Sequence, residues 1–179
     1  MPFEFIELSI KGVFIIKPKF FKDSRGYFTE TYKQSDFMAA GIDVEFKQDN
    51  QSYSRKGVLR GLHFQKEPFA QGKLVRVVKG KIFDVGVDLR KKSPTFGKYI
   101  SAILSDENQE MLWLPEGFAH GFLALEDSLV LYKATNEYNK ESEGGIIWND
   151  ADVAVKWPEM PDDISPKDRE WPSLRDLKS

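Results

Sequence analysis

The sequence predicts an all-β barrel or sandwich, on three observations. Short runs rich in β-branched and aromatic residues recur along the chain. Gly, Pro, Asn and Asp break these runs at short intervals, and helical signal is confined to short segments. Fourteen Phe, six Tyr and four Trp among 179 residues furnish an aromatic-rich β core and a platform on which a ring-bearing ligand can stack.

Taken in order, Phe3–Leu8 and Val13–Lys17 are β-rich runs bounded by turn residues and read as strands. The turn Asp23-Ser24-Arg25-Gly26 opens a third strand, Tyr27–Tyr32. A helix is predicted at Asp36–Ala40, with Ser35 capping its N-terminus and Gly41 ending it in the left-handed conformation. Strands follow at Glu45–Tyr53, Val58–Phe64, Lys73–Lys79 and Lys81–Asp88, and Lys79-Gly80 between the last two reads as a tight hairpin. Lys98–Leu104, Glu110–Leu114, Ala119–Ala124 and Leu129–Thr135 complete the set. After Trp148 the composition changes to a polar tail punctuated by Pro158, Pro161, Pro166 and Pro172 and carrying Trp157 and Trp171. Prolines do not sit in central strands, so this tail is expected to wrap the outside, with a short helical turn near Ser165–Arg169. No internal repeat or low-complexity linker interrupts the chain. A single domain over residues 1–179 is expected: N-terminal strands in 1–56, in dimer contacts, a barrel core in 57–148, and the tail in 149–179.

The net charge is −2 and the pI about 5.8, so no global field favours nucleic acid or an anionic membrane. No apolar run approaches the roughly 20 residues of a membrane span, and the N-terminus lacks a basic-then-apolar leader. The absence of cysteine excludes disulfides, thiolate catalysis and thiolate-bound metals. A cytoplasmic location is the expectation.

The segment Gly57-Val58-Leu59-Arg60-Gly61-Leu62-His63-Phe64-Gln65 puts an arginine and one of only two histidines inside an otherwise apolar strand. A buried arginine needs an anion, and a buried histidine needs a proton-transfer task or a hydrogen-bond partner. Arg60 and His63 have opposite parity in a regular strand. Both face one lumen only if the strand is bulged, and Gly61 is where a bulge costs least. Alternation also groups Phe28 with Glu30, and Gln48 with Asn50 and Ser52, on common faces, either a polar lumen or an outer solvated surface. Lys73 heads an apolar run, Arg25 sits in a turn, His120 follows a Pro/Gly turn, and Tyr132 sets a phenol in an aliphatic strand. Two histidines without histidine neighbours fall short of a usual metal site, so none is assigned.

Together these motifs resemble the dTDP-4-dehydrorhamnose 3,5-epimerase family. The resemblance spans nearly the whole chain, through Asp23–Gly26, Phe28-x-Glu30, Gln48-x-Asn50-x-Ser52, Gly57–Gln65, Gln71–Val77, Asp84-Val85 with Val87–Arg90, Ser93–Thr95, Pro115–Phe122 and Ser165–Asp168. It implies a cupin-type jelly-roll barrel with a few short helices, working as a homodimer without metal or cofactor. It also implies a dTDP-sugar substrate, dTDP-4-dehydro-6-deoxy-D-glucose, inverted at C3 and C5 through enolates. His63 is then the base, Asp168 its partner, Tyr132 the acid, and Lys73 the cation at the C4 oxygen. Arg60, Arg25 and Lys167 would hold the diphosphate, and Phe28, Glu30, Gln48 and Asn50 the nucleoside. Tyr138 would stack on thymine, His120 and Glu143 would complete the sugar pocket, and Arg25 and Glu30 would come from the partner subunit. Rival readings are a 3- or 5-monoepimerase, a keto-isomerase on a related dTDP-4-keto-hexose, a non-catalytic sugar-nucleotide-binding cupin and a metal-dependent cupin oxygenase.

Overall fold

A computed structural model describes residues 2–178. The described residues form fourteen strands: β1 (Phe3–Glu7), β2 (Phe14–Pro18), β3 (Phe20–Asp23), β4 (Gly26–Thr29), β5 (Gln48–Ser54), β6 (Val58–Gln65), β7 (Lys73–Lys79), β8 (Lys81–Asp88), β9 (Tyr99–Ser105), β10 (Met111–Leu114), β11 (Phe118–Ala124), β12 (Ser128–Ala134), β13 (Glu143–Gly145) and β14 (Asp163–Ile164). Helices are short: α1 (Gln34–Ala39), α2 (Pro166–Arg169), and 3-10 turns at Lys140–Ser142 and Asp176–Lys178. None of the described helices is long and apolar enough to cross a membrane.

The strands divide into two large sheets. One runs β1-β2-β10-β7-β12-β5, and the other β13-β6-β11-β8-β9, with β14 also pairing β6. Inward residues of both, including Val75, Val77 and Val130 from the first and Ile82, Leu104, Phe118 and Phe122 from the second, pack into one apolar cluster between the sheets. This is the expected jelly roll. Outside the first sheet, Phe37 of α1 packs with Phe3, Phe5 and Tyr32. Outside the second, the C-terminal tail covers Leu62, Val85 and Val87.

Three local expectations are corrected. Lys79-Gly80 is not a hairpin between paired strands, because β7 pairs with β10 and β12 while β8 pairs with β9 and β11. Gly80, at φ +82°, instead turns the chain from one sheet into the other. Ser35 does not cap α1: Lys33 occupies the cap position without a side-chain bond, and the helix is held by the burial of Phe37. Gly41 does take the left-handed conformation after it, at φ +88°. The strand expected at Tyr27–Tyr32 stops at Thr29, and with the unforeseen β3 forms a separate two-stranded ribbon. The proline-rich tail wraps the outside as expected, with α2 at its short helical turn, and adds only β14 to the edge of β6, where the unforeseen β13 also pairs.

Candidate active site

The site begins with an irregularity in β6. Pairing between β11 and β6 matches His120 to His63 but Phe122 to Arg60, so Gly121 alone faces two residues, Gly61 and Leu62. Leu59 and Leu62 therefore both pack on the outer face, while Arg60 and His63 both line the interior. Only glycine fits there: Gly61 has φ +120°, and a Cβ would lie 2.6 Å from Gly121 Cα. The bulge sits where the parity of Arg60 and His63 requires it.

The edge of β6 is covered in two pieces. β14 pairs with Val58 and Leu59, and β13 with His63, Phe64 and Gln65. Between them the Gly61 N–H donates to Asp168 Oδ2 at 3.1 Å. Asp168 reaches this gap from α2, whose N-cap Ser165 accepts from the Asp168 N–H. Its other oxygen, Oδ1, lies 2.6 Å from His63 Nε2 and accepts from Trp171 Nε1 at 3.2 Å. Burial would push this carboxyl up, but the hydrogen bonds from His63, Gly61 and Trp171, with the His63 charge, hold it below the usual carboxylate range. An ionised Asp168 only accepts, so Nε2 carries the ring proton and Nδ1 is the nitrogen left to take another.

His120, beside His63 on β11, is buried and bonds through Nε2 to Asp84 Oδ1 at 2.7 Å. Asp84 is fully buried, and its Oδ2 has no hydrogen-bond partner among the described residues. From the facing sheet, β7 supplies Lys73 and β12 supplies Tyr132. Burial lowers Lys73 to about 8, against the opposing pull of Asp84 and Glu143. Burial raises the Tyr132 phenol, against a smaller effect of Arg60. These side chains line one cavity of about 550 Å³ that also includes Arg60, Lys167 and Asp168. It can hold a polar ligand between a histidine–carboxylate pair on one wall and an ammonium and a phenol on the other.

At the cavity mouth Arg60 is held by Ser54 Oγ at 2.9 Å and the Tyr53 carbonyl at 3.0 Å. Gln48 and Asn50 face inward on β5, and Gln48 accepts from the Tyr138 N–H. The Tyr138 hydroxyl donates to Glu143, which also pairs with Lys167. Arg25 and Phe28 are not brought to this cavity. Arg25 lies on the β3–β4 ribbon paired with Asp23, Phe28 is 64% exposed, and Glu30 follows the ribbon, half-buried. Sequence reasoning passed over three contributors: Ser54 as the anchor of Arg60, Asp84 beneath His120, and Trp171 on Asp168. Strand parity alone could have found Ser54, two residues from Ser52 on the same face. Among the described residues no group of three His, Asp or Glu is placed to hold a metal ion.

A family model described as dTDP-4-dehydrorhamnose 3,5-epimerase matches residues 7–176. The chain is 53% identical over 178 residues to a dTDP-4-dehydrorhamnose 3,5-epimerase of Methanothermobacter thermautotrophicus, covering 97% of this chain and 96% of that protein. The crystal structure of the Elizabethkingia anophelis dTDP-4-dehydrorhamnose 3,5-epimerase superposes with a TM-score of 0.94 at 43% identity, covering 100% of both chains. That of a Legionella pneumophila dTDP-6-deoxy-D-glucose 3,5-epimerase, in complex with dTDP-4-keto-L-rhamnose, gives 0.92 at 44% identity, covering 97% and 93%.

Proposed function

Because the chain belongs to the dTDP-4-dehydrorhamnose 3,5-epimerase family, we propose that its cavity inverts C3 and C5 of dTDP-4-dehydro-6-deoxy-D-glucose to give dTDP-4-dehydro-L-rhamnose. The protein is an isomerase. The 4-keto group acidifies the hydrogens at C3 and C5, and inversion needs a base on one face of the ring and a proton donor on the other. One observation carries the assignment of roles: His63 and Tyr132 project from opposite sheets into the same cavity.

His63 Nδ1 takes the proton, and Asp168 stabilises the imidazolium that forms. Lys73 sits by the C4 oxygen, where a desolvated cation favours the enolate over the ketone. Tyr132 returns a proton from the far side, and its raised phenol stays protonated well above neutrality. His120 and Glu143 hold the sugar, and Arg60 and Lys167 bind the diphosphate at the mouth. Gln48 and Asn50 take the nucleoside, and the half-exposed Tyr138 ring stacks on the base. Metal and cofactor have no part in this scheme.

The enzyme works as a homodimer in the cytoplasm, and Arg25, Phe28 and Glu30 serve the cavity of the second copy. Exposed Phe21, Tyr27 and Phe28 on a ribbon that leaves its own sheets support this arrangement. The test of the reaction is proton NMR of the substrate with enzyme in D2O, with a 4-reductase to trap product. Deuterium entry at both C3 and C5 with an L-rhamno product is expected. Exchange at one carbon only would replace this reading with a monoepimerase, and no exchange by folded, substrate-binding protein would make it a binding module.

A further inference from the structure

The His63–Asp168 pair has a third member that the reaction scheme leaves unused. Trp171 lies just beyond α2, and its indole N–H donates to Asp168 Oδ1, the same oxygen that faces His63 Nε2. The indole stands at 70° to the imidazole with centroids 6.1 Å apart. Gly145 pairs directly with His63 across β13 and β6, and a Cβ at 145 would lie 2.4 Å from the indole. The ring therefore rests on bare backbone beside the pair, with Lys167 Nζ 5.5 Å from its centroid. A tryptophan serving only to pack the tail needs no charged acceptor: Trp157, elsewhere in the tail, gives its N–H to the Trp148 carbonyl.

We propose that Trp171 is a positioning residue for the His63–Asp168 pair, its N–H fixing the carboxylate and drawing on its charge, so that the base becomes free at lower pH. This rests on the reading of His63 as the base. Carboxylate charge shared with the indole is less available to an imidazolium, so sharing favours the neutral ring. The hydrogen bond from Trp171 is among those that hold Asp168 below the usual carboxylate range. Other charged and titratable groups around the pair are Glu143 on β13, Asp163 on β14, Lys167 on α2, His120 on β11, Arg60 on β6, Arg55 before it, and Lys73 and Tyr132 on the facing sheet. Trp171→Phe alters none of them and keeps an aromatic ring beneath Lys167.

The experiment is the pH profile of kcat/KM for Trp171→Phe against the wild type. The acidic limb is expected to move up by about half to one pH unit, with the plateau within about tenfold of wild type. At pH values on that limb the variant then loses a further ~3–10-fold. Where the wild-type limb coincides with the His63 signals, a variant limb within about 0.2 units of it overturns the proposal, whatever the plateau does, because a packing role lowers rate without moving it. A second measurement needs no variant. In the wild-type enzyme the Trp171 indole N–H resonance should shift with pH at the same midpoint as the His63 ring signals, which are easily assigned with two histidines in the chain. An indole signal indifferent to that titration overturns the proposal even if the variant fails to fold. An indole that follows His63 while the kcat/KM limb does not coincide with it would leave the positioning role intact and remove His63 as the base.

Discussion

Asp168→Asn exchanges one carboxylate oxygen for an amide NH2 without changing shape, and the surroundings make both orientations poor. Three N–H groups converge on the carboxylate: His63 Nε2 at 2.6 Å and Trp171 Nε1 at 3.2 Å on one oxygen, Gly61 N at 3.1 Å on the other. With the amide oxygen toward His63, the NH2 meets the Gly61 N–H, donor against donor. With it toward Gly61, the NH2 forces His63 Nε2 to accept, the ring proton moves to Nδ1, and the base is occupied. Either arrangement loses at least one buried hydrogen bond, about 1–3 kcal/mol, or roughly 2–10 °C in Tm for a chain of this size. The chemistry suffers more, because the variant lacks the anion that stabilises the imidazolium. We expect kcat to fall by about 10²–10⁴, with KM within about threefold. Product formation coupled to a 4-reductase gives the rates, and urea denaturation gives the stability. A variant with kcat within about tenfold of wild type would refute the role given to this pair.

Four further outcomes are expected. With Lys73 lowered to about 8 and needed as a cation, kcat/KM should fall above that pH, tenfold per unit. Lys73→Arg should carry that basic limb beyond about pH 10, and an unmoved limb would assign it to another group. Tyr132→Phe should cut kcat by about 10²–10³ while solvent deuterium still enters the unreacted substrate; a raised KM with unchanged kcat would make Tyr132 a binding residue. Gly61→Ala should cost about 2–5 kcal/mol, from a φ of +120° and a backbone atom 2.6 Å from the new Cβ, and should reduce activity with it; wild-type stability by urea denaturation would show that the bulge tolerates a side chain. Asp88 is fully buried, yet hydrogen bonds from Arg90, Ser93 and Thr95 overcome that burial and hold it at about 2. Its folded value is depressed, so it contributes roughly 2 kcal/mol above the unfolded value of 3.8, lost as pH falls through about 2. Asp88→Asn should flatten the acid limb of stability, and an unchanged limb in acid titrations would contradict this.

The all-β class was legible because strand alternation is local, and the jelly roll followed from the family resemblance. The inward residues of β5, β7 and β12 fall on the even spacing that the sequence displays, and β7 and β8 have the bounds expected for them. Even the bulge at Gly61 was readable, since two chemically pointed residues of opposite parity flanked the one residue able to carry it. The short strand β3, which pairs with β4 in the ribbon, and the edge strands β13 and β14 were not, because two to four residues carry too little periodicity to stand out from a loop.

Composition and periodicity by themselves determined an all-β class, which residues of each main strand share a face, and the placing of Arg60 and His63 in an otherwise apolar strand. The ordered motifs gave the family resemblance and with it the candidate residues. Only the tertiary structure decided which strands are neighbours and which groups meet. Lys79-Gly80 joins two sheets rather than two paired strands, and sequence cannot tell these apart, since either leaves the same two alternating runs around a glycine. The His63–Asp168 contact closes over 105 residues, and it exists because the bulge frees the Gly61 N–H at the gap between β13 and β14. Trp171 joins them because Gly145, opposite His63, leaves room for an indole. Alternation along a strand is written in its own residues, whereas contacts between distant segments depend on how every strand between them has paired.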